Sequence, residues 1–405
     1  MEIIEFLAEL ATDTELMSEF RSAPGAVLSA RGVSEHDQAL ILSGDPVAIH
    51  AAIATEVETR RSPGRWTEGS PGRATMHTEN SVNPPPPAPG PHPHPHPHPH
   101  PHEKGLSAAY QPELLDLDLD LAQDAVLLGS SSGRVTDDEP GGVWGLEGLT
   151  VVGMGMRAGL HMTQETRLAI EQATTLLYLV ADPVSEACIL KLNPAAVSLG
   201  PLYEAGKARV EIYENMITRI LGELESAGNL CVAFYGHPGV LVYPAWESIR
   251  RARATGKRAR MLPAISSEDT MFADLGVEIA RAGLQSHEAT RFFYYKYKFD
   301  PCAGLVLWQV GALGERDWNP HSAGMQSRLE VLTEYLEKFY GPDHPVFFYH
   351  APEYPTSRPL VQRLPLHALP TAEFISISTL YIPPIGLPEP NYENVEALAG
   401  AMARR

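Results

Sequence analysis

Cysteine is scarce in this chain: three residues, Cys188, Cys231 and Cys302, stand far apart among 405. They offer neither a disulfide framework nor the close pairs of a metal site, and they read as buried core thiols of a reducing compartment. Positive charge is also in short supply. Lys and Arg number 31 against 50 Asp and Glu, for a formal net charge of -19. A surface of that sign is unsuited to a phosphate backbone, which argues against nucleic acid as a partner. Long apolar runs are missing too. None reaches membrane-spanning length, and the N-terminus is acidic and helical rather than a secretory signal. The expectation is a soluble cytoplasmic protein with no membrane or nucleic-acid partner.

Proline, by contrast, is abundant: 36 residues are too many for one compact domain. The excess falls mostly between positions 84 and 101, and residues 91–102 are six strict Pro-His pairs. Such a tract is expected to be polyproline II or disordered. With roughly three residues per polyproline turn, histidines at every second position point to all faces in succession. They do not make one preformed metal site. A solvated spacer is the plain reading, and a flexible chain wrapping zinc, nickel or copper is the alternative.

The length allows two or three domains. Residues 1–58 read as a small helical unit. Ile3, Ile4, Phe6, Leu7 and Leu10 fit one helix face, and Leu16, Met17 and Phe20 continue it after a break at Thr12-Asp13-Thr14. Ser34 suits an N-cap, while Gly44-Asp45-Pro46 stops one helix and starts the next. About five helices this short give only a marginal core. Residues 59–147 have no globular pattern and are expected to form a low-complexity linker. From 148 onward the pattern is α/β, with strands expected over 149–153, 175–180, 230–234, 259–262, 305–310, 346–349 and 375–382. Helices are expected over 163–173, 207–227, 243–255 and 327–339. The expected divisions are 148–262 and 263–385, followed by a tail over 386–405.

Chemistry concentrates at three places. Gly153-Met154-Gly155 follows the first strand, as a phosphate or nucleotide loop would, but it lacks a third glycine and a P-loop Lys-Ser/Thr. A plain tight turn accounts for it equally well. Phe234-Tyr235-Gly236-His237-Pro238-Gly239-Val240 ends a buried strand in the manner of a ligand loop of an open α/β sheet, where glycines let backbone approach a ligand. His237 there is a general base, a ligand contact or a structural hydrogen-bonder, and no second ligand stands at metal spacing. Arg209 and Tyr213 share a helix face, with Tyr203 just ahead of the helix. Phenols around a guanidinium suit removal of a weakly acidic proton, because the cation favours phenolate and can hold a carbonyl oxygen as its charge grows. The competing reading is a solvated helix start with packing tyrosines.

In their order along the chain, these segments resemble the S-adenosylmethionine-dependent methyltransferases of the tetrapyrrole-methylase type. More narrowly they resemble the borosin branch, which methylates backbone amides of a ribosomal peptide. The resemblance covers about residues 148–384. It runs through Val151-Val152-Gly153-Met154-Gly155, Ala181-Asp182-Pro183, Tyr203 through Tyr213, Tyr235-Gly236-His237-Pro238-Gly239, Arg260-Met261-Leu262-Pro263, Ser266-Ser267-Glu268-Asp269, Gln309-Val310-Gly311 and Ser378-Thr379-Leu380-Tyr381. Residues 1–58 resemble, separately, the small helical domain of the family's precursor peptides, here placed before the methyltransferase rather than after it.

The resemblance implies two α/β domains with the cofactor in the cleft between them and no metal. It implies cofactor contacts at Tyr235, His237, Val240, Ser266, Ser267, Gln309 and Thr379. It implies a catalytic cluster of Tyr203, Arg209, Tyr213 and Tyr235, and an interlocked homodimer. Arg209, with Tyr213, is then expected to hold the amide oxygen while Tyr203 takes the proton. The peptide substrate is a core within residues 117–133, where Ala125-Val126-Leu127-Leu128-Gly129-Ser130 is small and apolar, or a separate precursor, or lost altogether. The Pro-His tract is a poorer core because proline has no amide proton. A small-molecule methylase and a non-catalytic peptide- or metal-binding protein are the alternative functions.

Overall fold

The computed structural model describes residues 1–60, 147–204, 207–315, 324–372 and 377–403. The candidate core at 117–133 and the Pro-His tract lie outside the described residues.

The chain begins with α1 (Ile3–Thr12), α2 (Thr14–Ser22), α3 (Pro24–Ala30), α4 (Glu35–Ser43) and α5 (Pro46–Arg60). Their ends follow local chemistry. Asp13 accepts hydrogen bonds from Glu15 N–H and Leu16 N–H to start α2, Ser34 caps α4, and Gly44 closes α4 in the left-handed conformation at φ 64°. Phe6, Leu7, Leu10, Leu28, Ile41, Ile49 and Ile53 are fully buried and form the core. Each such side chain contributes about 1.5–3 kcal/mol by leaving water. Ala158, Val184, Cys188 and Tyr354 of the α/β part belong to the same cluster, so the five helices do not rely on their own core alone. The approach is close: a Cβ on Gly159 would lie 2.6 Å from the Ala11 Cβ.

The first sheet is wholly parallel. It is built from β1 (Gly148–Gly153), α6 (Gln164–Gln172), β2 (Thr175–Leu179), α7 (Pro183–Leu192), β3 (Val197–Ser198), α8 (Arg209–Ser226), β4 (Asn229–Phe234), α9 (Tyr243–Ala254) and β5 (Ala259–Met261). The strand order is β3-β2-β4-β1-β5. Alternate residues face opposite layers, as strand geometry requires. Leu230, Val232 and Phe234 pack with Ile212, Met216 and Ile249 of α8 and α9, while Cys231 and Ala233 pack with Ile170 and Ile189 of α6 and α7. Placing β4 beside β1 brings together the loops that leave their carboxyl ends, which is where an open α/β sheet holds a ligand.

The second half has a mixed sheet. Its elements are α10 (Ser267–Leu275), β6 (Leu284–Glu288), α11 (Ala289–Tyr294), β7 (Gly304–Trp308), α12 (Met325–Tyr340), β8 (Pro345–His350), β9 (Leu360–Pro365) and β10 (Thr379–Ile382), in the order β6-β7-β10-β8-β9. Only the β6–β7 pair is parallel. Leu305, Leu307, Phe348, Leu380 and Ile382 face α12 in the larger core. A final helix, α13 (Tyr392–Met402), buries none of its residues.

Some elements and one cysteine depart from the sequence-based expectations. Strands β3, β6 and β9 and helix α11 were not expected, and all three strands are edge strands whose residues are half-buried or exposed rather than apolar throughout. Cys188 and Cys231 are buried, but Cys302 is half-buried in the turn before β7 and is not a core thiol.

Candidate active site

The two glycine loops are joined backbone to backbone. Beyond the paired Gly153 and Phe234, Gly155 N–H donates to Gly236 O at 3.2 Å and Gly236 N–H to Gly155 O at 2.9 Å. Both residues are left-handed, with φ 71° and 65°. A Cβ on Gly153 would stand 2.3 Å from Gly236 O and 2.6 Å from both Pro238 Cδ and Ala264 Cβ. Backbone approaches this closely only where side chains are absent. Met156, just past the bridge, packs against Val306, Trp308, Tyr349 and Tyr381 of the second half, so the bridge stands where the two halves meet.

His237 Nδ1 accepts the Gly239 N–H at 2.9 Å, which leaves Nε2 to carry the proton of a neutral imidazole. Gly239 O accepts from Trp246 Nε1–H at 3.2 Å. Val240 is exposed beside Leu241, a non-glycine residue held at φ 58°. Ser266 spends its hydroxyl on α10: it accepts from Asp269 N–H, and Ser266 N–H donates to the Asp269 carboxylate at 2.7 Å. Ser267 opens the helix at its positive end. Gln309 leaves β7 at φ 54°, and Val310 N–H donates to Ser378 O at 3.0 Å, which ties this turn to the buried Thr379 at the start of β10. Gln309 and Thr379 therefore share one end of the second sheet.

The four candidate catalytic residues are brought together. Arg209 begins α8 with Tyr213 one turn on, and Tyr203 ends the short turn Gly200–Leu202 before it. Tyr203 and Tyr213 share a hydrogen bond between their phenols, and Tyr203 also lies within electrostatic range of Tyr235 and Arg209. Burial pushes the Tyr203 phenol well above its ordinary value, and the phenols of Tyr213 and Tyr235 add to this more than Arg209 subtracts. Burial likewise pushes Tyr235 up to about 12. Both are neutral O–H groups near pH 7. Arg209 favours the phenolate, as expected, but desolvation and the neighbouring phenols outweigh it.

Sequence reasoning missed several charged neighbours. Glu315, whose side chain is 7% exposed, stands 3.9 Å from Arg209 and 3.2 Å from Arg328. Glu353 lies within electrostatic range of Tyr235. No spacing rule links these carboxylates to Arg209 or Tyr235, because only the folded second half delivers them.

A parallel sheet with paired glycine loops, a mixed second sheet and a half-buried tyrosine–arginine cluster define a two-sheet α/β protein with one candidate site. The chain belongs to the tetrapyrrole (corrin/porphyrin) methylases, whose family model matches residues 148–351. Among curated proteins it is 38% identical over 241 residues to the methyltransferase/ribosomally synthesized type I borosin cyclic peptide precursor of Coprinopsis marcescibilis, covering 58% of this chain and 62% of that one. It is 36% identical over 240 residues to the methyltransferase/ribosomally synthesized cyclic peptide omphalotin A precursor of Omphalotus olearius, covering 58% and 57%. The chain thus spans about three-fifths of the length of the curated relatives it matches. Among solved structures, uroporphyrin-III-C-methyltransferase from Thermus thermophilus is similar at a TM-score of 0.42 and 16% identity, over 60% of this chain and 99% of that one.

Proposed function

We propose that this protein is an S-adenosylmethionine-dependent methyltransferase that α-N-methylates backbone amides of a ribosomally made peptide. The observation that carries the reading is the convergence of Tyr203, Tyr213, Tyr235 and Arg209 beside the Gly155–Gly236 bridge. The chain's similarity to the borosin and omphalotin precursor methyltransferases supports the same reading.

The residues fit the cofactor. Gly153, where any Cβ would collide with Gly236 O, lets the two loops close on each other, and Tyr235, His237, Val240, Ser266, Ser267, Gln309 and Thr379 are the residues proposed to hold the cofactor. When bound, S-adenosylmethionine supplies an electrophilic methyl group on a sulfonium cation. The protein's task is to make a poor nucleophile react, because the amide nitrogen's lone pair is delocalised into the carbonyl. Arg209, with Tyr213, holds the amide oxygen as negative charge gathers on it. Tyr203 takes the amide proton as its phenolate, after its own proton has passed to solvent; Arg209 favours that form and burial opposes it. Close positioning supplies much of the acceleration, since the nucleophile is weak.

Residues 1–58 serve as the peptide-recognition domain, 148–262 and 263–385 as the two halves of the methyltransferase, and the peptide is the chain's own 117–133 segment or a separate precursor. The enzyme acts as a homodimer in the cytoplasm. An apolar stripe on α13, formed by Tyr392, Val395, Leu398 and Met402, offers area for a second copy to cover. Among the described residues, no helix is long and apolar enough to cross a membrane. Incubation of the full chain with S-adenosylmethionine, followed by intact-mass measurement, tests the reading. Methyl increments that vanish in Arg209→Ala support it, and a chain that neither gains methyl groups nor methylates an added peptide overturns it.

A further inference from the structure

A buried polar node lies where the helical unit meets the α/β part, and Glu353 is its centre. The Glu353 carboxylate is 3.4 Å from His350 Nε2 and 3.7 Å from Nδ1 of His50 in α5. His50 Nδ1 is also 3.0 Å from the Tyr354 hydroxyl. The Glu353 side chain is 17% exposed and that of His350 is 6% exposed. The backbone around the node is fixed as well. Glu353 O accepts Ala158 N–H at 2.8 Å, and Gly44 O accepts Arg358 N–H at 2.9 Å, a bond between the helical unit and the loop after β8. Asp182, the cap of α7, faces the same group of charges. At the edge of this joint Lys191 and Glu9 pair at 3.9 Å.

We propose that His50 is a positioning residue of the active site: as a cation supplied by the helical unit, it compensates Glu353 and so sets the charge that Tyr235 faces. The proposal rests on the methyl-transfer reading above.

The electrostatics support the geometry. Burial alone would lift the Glu353 carboxyl, but hydrogen bonds and charge from His350 and His50 hold it well below the usual carboxylate range. Burial alone would lower His50, but the hydrogen bond to Glu353 and the charges of Glu353 and Asp182 raise it above its ordinary value. Burial and the neighbouring Glu353 push Asp182 up to about 6. Tyr354 remains a phenol, and burial pushes the Cys188 thiol up to about 12. His350 and His50 both face the Glu353 carboxylate, at 3.4 and 3.7 Å, and His50 is the one that the helical unit supplies. Negative charge forming on an amide oxygen beside Arg209 is opposed by any uncompensated carboxylate within range, more strongly in a desolvated site than in water. Loss of the His50 proton leaves that carboxylate with His350 alone. Docking of the helical unit and catalysis are coupled in this way.

The test uses the full chain in three variants. His50→Gln keeps a hydrogen-bonding group without the charge, His50→Lys keeps a charge, and Glu353→Gln removes the anion. Methylation is followed by intact mass across pH at saturating cofactor, and cofactor affinity by calorimetry. The wild-type rate is expected to fall as pH rises through the raised His50 pKa. His50→Gln is expected to be slower by about tenfold at the optimum with unchanged cofactor affinity. His50→Lys is expected to stay flat through the same pH range. A His50→Gln protein with the wild-type rate and pH profile overturns the proposal, as does a His50→Lys protein that behaves like His50→Gln. A wild-type chain that transfers no methyl group overturns the functional reading separately. Carbon-labelled tyrosine NMR, with Tyr235 assigned by Tyr235→Phe, then decides the electrostatic claim. The Tyr235 titration moves down in Glu353→Gln and up in His50→Gln if the node sets its charge, and stays put in both if it does not.

Discussion

Alanine at Gly153 isolates the role of the glycine cradle. Gly153 is absent from the residues with positive φ, so its backbone accepts a side chain and only space opposes one. The added Cβ would lie 2.3 Å from Gly236 O, against an ordinary carbon–oxygen approach of about 3.3–3.6 Å, an overlap of roughly 1 Å. Pro238 Cδ and the Ala264 Cβ, each at 2.6 Å, block retreat in other directions. Two of these three neighbours belong to backbone or to a proline ring, so relief requires moving the 236–238 loop and breaking its bridge to Gly155. The cost is expected at the top of the overpacking range, about 3 kcal/mol, or roughly 6–12 °C in melting temperature for a domain of this size. Cofactor affinity is expected to fall by at least about tenfold, since 1.4 kcal/mol of the displacement suffices for that. Gly222→Ala is the control: nothing lies within 4 Å of its Cβ position in α8, and the gain in helix propensity is expected to stabilise by up to about 1 kcal/mol. Thermal melts and calorimetric titration with S-adenosylmethionine read both variants. A Gly153→Ala protein that melts with the wild type and binds cofactor equally well refutes the claim that close backbone approach shapes this site.

Other outcomes follow from the same structure. Phe6→Ala, which empties a fully buried site and loses the ring contact to Phe20, is expected to cost about 3–5 kcal/mol in denaturant melts. Tyr203→Phe keeps the ring but not the proton acceptor, so the methylation rate should fall by about 10²–10⁴ while calorimetry finds cofactor binding unchanged. Asp182→Asn retains a capping side chain but removes a titration. Because the folded pKa of Asp182 is raised from 3.8 to about 6, its contribution is fully present below pH 3.8 and lost as pH rises through 6, a change of about 3 kcal/mol that the variant should abolish in melts across pH. His50, also raised, loses its contribution in the same sense as pH rises from 6.5 through its folded pKa, so His50→Gln should flatten what pH dependence remains in that range.

Much of the fold was legible wherever burial and periodicity coincide. β1 and β4 are central parallel strands covered on both faces, so they appear as unbroken apolar runs. Helix ends were legible through short-range chemistry: Ser34 accepts a hydrogen bond as an N-cap, and Gly44 takes the left-handed closing position. Two of the missed strands, β6 and β9, lie at the two edges of the second sheet, where Gln285, Ser286 and His287, or Gln362 and Arg363, dilute the apolar signal. At the candidate site, the shared face of Arg209 and Tyr213 was legible because helix geometry fixes a four-residue spacing, and the Tyr235 loop because Gly236 and Gly239 follow it. Glu315 and Glu353 were not, since each comes near the cluster through tertiary packing between segments remote in sequence. How far the Tyr203 and Tyr235 phenols are held neutral was not legible for the same reason. Burial, the largest influence on both, is a property of the fold and not of the residues that flank them.

The central claim is that the tyrosine–arginine cluster directs a methyl group to peptide backbone nitrogen. Tandem mass spectrometry of the methylated product, from the full chain or from an added peptide, tests it most directly. The account predicts methyl groups on backbone amide nitrogens in the wild type and none in Arg209→Ala that still binds cofactor. Methyl groups confined to side chains, or backbone methylation that persists in Arg209→Ala at the wild-type rate, would contradict it.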